Sequence, residues 1–184
     1  MAFVRIKQIS GKEYGYLVEN SWTGSGSRQK VAKYLGRLIK PQKTKSEDLG
    51  LFLGLPEGQG VNEWMAKSSF REIATKLVLW ELANHEINGA SSLKINVESA
   101  EILDDKSKPV VIALNDGFLC SHTAKKLLEY EPRTDYSGYN LADALTAAGI
   151  AVNKEVFISL FGKAQAAGKR EEKIEEKTAD EFYY

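Results

Sequence analysis

The sequence predicts an α+β fold: an N-terminal three-stranded antiparallel β meander followed by a helical body with a second β-hairpin. Three observations point there. Within the first 36 residues, three β-favouring runs are separated by glycine-containing turns. Residues 62–87 then place apolar side chains at three-to-four spacing, the period of a helix. Residues 93–102 return to alternation, and an apolar run over residues 109–114 follows a turn, as in a hairpin.

Taken in order, residues 3–9 alternate weakly and favour a strand, and Ser10-Gly11-Lys12 is a turn signal. Residues 13–22 are aromatic and β-branched, with Tyr14, Tyr16 and Val18 expected on one face. A glycine-serine turn over residues 23–27 leads to a third strand over residues 28–35. That strand is expected to carry Arg28, Lys30 and Tyr34 on one side and Lys33 on the other. A meander this small buries only one face and must pack on something else.

Residues 36–62 read as a connector, with residues 41–48 as the linker and the apolar stretch over residues 49–55 lying against the core. In the helix over residues 62–87, Ser69 and Glu72 have the spacing of a capping box, and Asn88-Gly89 is the stop signal. The expected hairpin pairs residues 93–102 with residues 109–114 across a turn at residues 104–108, and Asn115-Asp116-Gly117 is a tight turn. Further helices are expected over residues 121–130 with Ser121 as cap, over residues 139–148 ended by Gly149, and over residues 154–167 capped by Asn153. Residues 135–138 read as a loop. The charged tail ends in Phe182-Tyr183-Tyr184.

Charge divides the chain more sharply than composition does. Net charge is zero, yet residues 1–45 carry ten bases against two acids, Glu13 and Glu19, a net +8 that leaves −8 for the rest. The organisation expected is therefore a basic β module at 1–45, an acidic α/β body at 46–168 and a charged tail at 169–184. Such asymmetry suggests that the basic part meets a polyanion. The longest apolar runs are too short to span a membrane. The mixed opening residues do not resemble a signal peptide, and the single cysteine, Cys120, has no partner for a disulfide. A cytoplasmic location is the expectation.

Residues 5–38 resemble the N-terminal segment of insertion-sequence transposases with an RNase H-like, three-acid catalytic core. The matching pieces are Tyr14-Gly-Tyr-Leu-Val-Glu-Asn, a glycine-rich turn, and Arg28-Gln-Lys-Val-Ala-Lys-Tyr-Leu-Gly36. In that family the segment is a hairpin module ahead of the catalytic domain. The resemblance stops near residue 40, and none of the family's three acids has a counterpart that carries over. It implies a portable module for DNA or RNA fused to a different body.

The residues that carry the expected chemistry are Arg5, Lys7, Trp22, Arg28, Lys30, Lys33, Tyr34 and Arg37. Sheet-based nucleic-acid binding needs cations for phosphates and flat side chains for bases or sugars, and this segment supplies both. The opposing reading is a solvated sheet whose lysines protect an edge. No base-reading motif is present, so weak sequence preference is expected.

Other constellations are thinner. Cys120 and His122, with His85 and Asp116, do not make up four zinc ligands, and two residues apart at a helix start they do not form a nucleophilic dyad. Asp104-Asp105 is turn chemistry. Residues 24–27 lack the Gly-Lys-Ser/Thr of a phosphate loop. The helix pair at residues 139–167 carries too few bases for a DNA-reading helix. The expectation is a non-catalytic protein with no metal and no cofactor, partnered by DNA or RNA and by a protein or second copy through its acidic body. The alternative is a protein–protein adaptor or ribosome-associated factor. An enzyme would need a cleft lined by Asp116, His122 and a nearby acid.

Overall fold

The computed structural model describes residues 2–24, 26–87, 92–131 and 137–166. The expected cap at Asn88-Gly89, the start of the loop at residues 135–138 and the aromatic tail lie outside these residues. Among these residues, seven strands and six helices are arranged as a five-stranded sheet, a separate two-stranded hairpin and helices against one face of the larger sheet.

Strands β1 (Ala2–Ile9), β2 (Lys12–Thr23) and β3 (Gly26–Ile39) form the expected antiparallel meander. The sheet continues beyond it. The end of β3 pairs in parallel with β6 (Val110–Leu114), which pairs antiparallel with β7 (Gly117–Leu119), giving the order β1-β2-β3-β6-β7. The meander therefore has no gap between itself and the body: Arg37, Leu38 and Ile39 align with Val110, Val111 and Ile112.

This corrects the expected hairpin. Residues 93–102 are two strands, β4 (Leu93–Asn96) and β5 (Glu101–Asp104), which pair with each other, while residues 110–114 leave for the main sheet. The Asn96 side chain accepts the Ser99 N–H at 3.1 Å and Ala100 adopts a φ of +54°, so the chain reverses inside a stretch whose alternation reads as continuous. The turn at residues 104–108 is as expected, with Asp104 Oδ1 accepting the N–H groups of Lys106 and Lys108.

The helix expected over residues 62–87 is two helices, α2 (Val61–Lys67) and α3 (Phe70–Asn84), after a short α1 (Leu49–Phe52). Ser68 is extended, and the Ser69 hydroxyl accepts the Glu72 N–H, so the serine pair ends one helix and starts the next. Helix α4 (Ser121–Leu128) is capped by Cys120 rather than Ser121: Thr123 Oγ1 accepts the Cys120 N–H, and the Ser121 hydroxyl instead accepts the Ile102 N–H. Helix α5 (Ser137–Ala148) ends at Gly149, and α6 (residues 154–166) starts from Asn153, whose side chain accepts the Val156 N–H.

Alternation along β6 feeds two cores. Val110, Ile112 and Leu114 join the helices, including Ile73, Leu77, Leu127, Leu141 and Leu160. Val111 faces the other way, with Leu17, Leu35, Leu38 and Cys120. This second core needs the sheet to curl, and the facing pair Gly15 and Gly36 permits it. A Cβ on Gly15 would stand 2.7 Å from Val111 Cγ2. One on Gly36, whose φ is +125°, would stand 2.0 Å from the Pro109 carbonyl oxygen.

The stretch expected as a linker is a strap pinned to α3. The Thr44 and Lys45 N–H groups donate to the Asn84 carbonyl, Glu47 N–H to the Asn84 side chain, and the Trp80 indole N–H to the Glu47 carbonyl. Residues 49–55 pack as expected through Leu49, Phe52 and Leu53, although Leu51 is exposed.

Candidate nucleic-acid interface

Strand pairing decides which side chains of the meander act together. Residues directly opposite share a face, and β3 carries two bulges, at Ala32 and Leu35, where its register against β2 slips by one. On one face, cross-strand rows run Phe3–Val18–Val31, Arg5–Tyr16–Tyr34 and Lys7–Tyr14–Arg37. Trp22 lies on this face at the tip, and Lys12 at the opposite end. On the other face the rows are Glu19–Lys30, Leu17–Lys33 and Ser21–Arg28, with Glu13 beside Gln8.

The expected site is thus divided. Arg5, Lys7, Trp22, Tyr34 and Arg37 come together on the first face. Arg28, Lys30 and Lys33 come together on the second. The expectation that Arg28 and Lys30 share a side with Tyr34, apart from Lys33, is corrected by the bulge at Ala32, which moves the residues before it to the opposite parity. Tyr14, Tyr16 and Val18 do share a face as expected.

The first face is an aromatic and basic surface. Tyr34 and Tyr16 make a T-shaped contact with ring centroids 5.5 Å apart, and Tyr34 lies 6.3 Å from Tyr14. Lys7 Nζ sits 5.3 Å from the Tyr16 centroid, and the Arg5 guanidinium donates to Gln29. Burial, then Tyr14, Tyr16 and Asp104, pushes the Tyr34 phenol above its ordinary pKa, so it stays neutral and able to donate. Both acids of the meander lie on the second face, where Glu13 pairs with Lys40 and Glu19 stands opposite Lys30. The first face of β1–β3 carries Arg5, Lys7, Lys12 and Arg37 and no acid. Asp104, at its border near Tyr34, is occupied in its own turn.

At the second face, the His122 imidazole is held below its ordinary pKa, first by burial and then by Lys33 and Lys126. His122 is therefore neutral at neutral pH and adjoins the Lys33 side of the sheet.

The body contains a polar cluster that the sequence reading missed. Glu81 is fully buried; its Oε1 accepts Lys43 Nζ at 3.0 Å and lies 3.4 Å from His85 Nδ1, which also contacts the Glu81 carbonyl at 2.9 Å. Lys43 reaches Asn115 at 3.4 Å as well. Glu81 and His85 at i,i+4 inside an apolar helix were the available signal. Asp116 lines a cavity of about 110 Å³ with Thr146, Gly149 and Ile150, and His122 is not among its walls. Among the described residues no group of three His, Cys, Asp or Glu side chains is placed to hold a metal ion. No described helix is long and apolar enough to cross a membrane.

The chain matches no protein-family model, no curated protein and no solved structure.

Proposed function

We propose that the protein is a non-catalytic nucleic-acid-binding protein that grips the phosphate backbone through its N-terminal β strands, with weak sequence preference. The observation that carries this reading is the segregation of charge. The meander's two acids sit on one face, leaving the other with four cations beside tyrosine and tryptophan rings. Edge protection does not require so uniform a surface, whereas a polyanion is attracted by it. The resemblance of residues 5–38 to a transposase hairpin module agrees with this role, without transposase chemistry.

The test is a titration of the purified protein against labelled duplex DNA, single-stranded DNA and structured RNA at two salt concentrations. Micromolar or tighter binding that weakens steeply with salt is expected. Absence of binding to all three at low salt overturns the reading. The adaptor reading then takes its place, favoured by the exposed Leu51 on the otherwise packed α1.

A further inference from the structure

Of the nine large apolar or aromatic side chains that stand exposed among the described residues, five lie on one sheet face: Phe3, Ile9, Trp22, Val31 and Tyr34. Phosphate gripping alone gives no reason for this. A duplex presents charge outward and keeps the flat faces of its bases stacked inside, so a backbone grip is served by cations on a polar surface. An unstacked base has two apolar faces to shield, and exposed rings provide the surface for that.

We infer that the acid-free face of the meander is a stacking platform for a single-stranded nucleic acid, with Trp22 and Tyr34 receiving bases and Arg5, Lys7, Lys12 and Arg37 flanking the phosphates. This rests on the nucleic-acid reading above and specifies its ligand.

The geometry supports the assignment in three ways. Trp22 is 85% exposed at the tip of β2–β3, free to take a base on its indole face. Tyr34 is 45% exposed but held against the rings of Tyr16 and Tyr14, so its ring is pre-oriented and little side-chain freedom is lost on binding. Trp22 and Tyr14 mark the ends of a track on β2 and stand eight residues apart, about 26 Å at the rise of a strand. That fits the footprints of roughly 4–16 nucleotides seen for sheet-based single-strand binders. A protein occupant fits less well, because interface cores are depleted of lysine and this face carries two with no acid to neutralise them. The ligand chemistry is common to single-stranded DNA and RNA.

The decisive experiment uses the full chain with labelled oligothymidylate and oligouridylate of about a dozen nucleotides, and a duplex of the same length. Single strands are expected to bind at least tenfold tighter than duplex. Trp22→Ala and Tyr34→Ala are each expected to weaken single-strand binding by roughly 5–150-fold, the range for loss of one stacked base, and to leave duplex binding within about twofold. Trp22→Phe and Tyr34→Phe retain a ring and are expected to retain most affinity. Trp22 emission is expected to be quenched by oligothymidylate, and the quench to vanish in Trp22→Phe. With four phosphates neutralised, the salt slope on single strands is near −2.8, or about fiftyfold between 50 and 200 mM salt. Folding of the variants is checked by circular dichroism, and the exposure of both rings makes their loss tolerable.

Equal binding of duplex and single strand, with alanine variants like wild type, overturns the stacking platform and leaves the phosphate grip standing. No binding to any probe overturns both. Self-association that Trp22→Ala abolishes also overturns the inference, because the face would then be an interface between copies of this chain. A preference for DNA over RNA, or the reverse, identifies which single strand is held and supports the inference.

Discussion

The meander and the body solve opposite problems with the same chain. In β6, successive residues alternate between two cores, and four of its five side chains are buried. In β3, the eight residues from Ser27 to Tyr34 are exposed on both sides of the sheet. The strands are neighbours in one sheet, so strand-forming tendency does not account for the difference. Neighbourhood does: β6 has helices on one side and the curled meander on the other, whereas the outer part of β3 has neither. The comparison teaches that the positive charge is carried where the core stops.

The largest blow to this arrangement falls at its seam. Gly36→Ala places a Cβ against the Pro109 carbonyl at a positive φ, and is expected to lower stability by about 3 kcal/mol. Chemical denaturation reads this directly. A loss under about 1 kcal/mol would show that β3 and β6 separate easily and that the two regions are less joined than the pairing indicates.

Charge reversal on the outer strand addresses the other half of the comparison. Arg28→Glu with Lys30→Glu, on the face opposite the aromatic one, is expected to reduce affinity for nucleic acid by no more than about tenfold at low salt, through the general field alone. The unfolding midpoint should stay nearly unchanged, because both side chains are exposed. A hundredfold loss would instead place the ligand on this second face, with Arg28, Lys30 and Lys33.

A smaller effect is expected from the strap. Lys43→Ala leaves the buried Glu81 carboxylate facing only His85, and should destabilise by about 1–2 kcal/mol, less than a fully buried pair because Lys43 is partly solvated. Urea unfolding measures it, and Glu81→Gln should partly relieve the defect in the Lys43→Ala background. If it does not, the carboxylate is not the source.

The smallest is a pH effect. The folded chain holds the His122 pKa below its unfolded value, so the unfolded state takes up the proton first as pH falls. Stability is therefore lost on acidification from about pH 7 to pH 5, starting near the unfolded histidine's pKa of about 6.5. His122→Gln should show a smaller fall in melting temperature over that interval. A phosphate seated at Lys33 would offset one of the charges that depress the imidazole. With the ligand on the acid-free face the His122 midpoint should stay fixed, and a midpoint that rises would place the ligand on the Lys33 face instead.

Much of the fold was legible because it depends on local rules. The meander follows from β-rich runs between turns, and the starts of α3 and α6 follow from Ser69 and Asn153. What was hidden depends on distant partners or on single-residue slips. Asn96 reverses a strand by capturing a nearby N–H, which an alternating pattern does not reveal. The bulges at Ala32 and Leu35 shift the parity along β3, so residues that simple alternation groups together fall on opposite faces. Gly15 and Gly36 read as ordinary strand glycines, because what requires them, the approach of Val111 and Pro109, lies far downstream in the chain. The Glu81 cluster was overlooked because an acid in an apolar helix draws notice only once the strap is seen to lie over it.

The parallel pairing of β3 with β6 also has a consequence in time. About 70 residues separate the partners, and at roughly 5–20 residues per second a ribosome needs several seconds to deliver the second after the first. During that interval the inner edge of β3 has its backbone donors and acceptors unpaired, and loop closure over such a distance is slow. The nascent meander must wait with that edge open, and Gly36, which later accommodates Pro109, leaves it without a side chain to discourage the wrong strand.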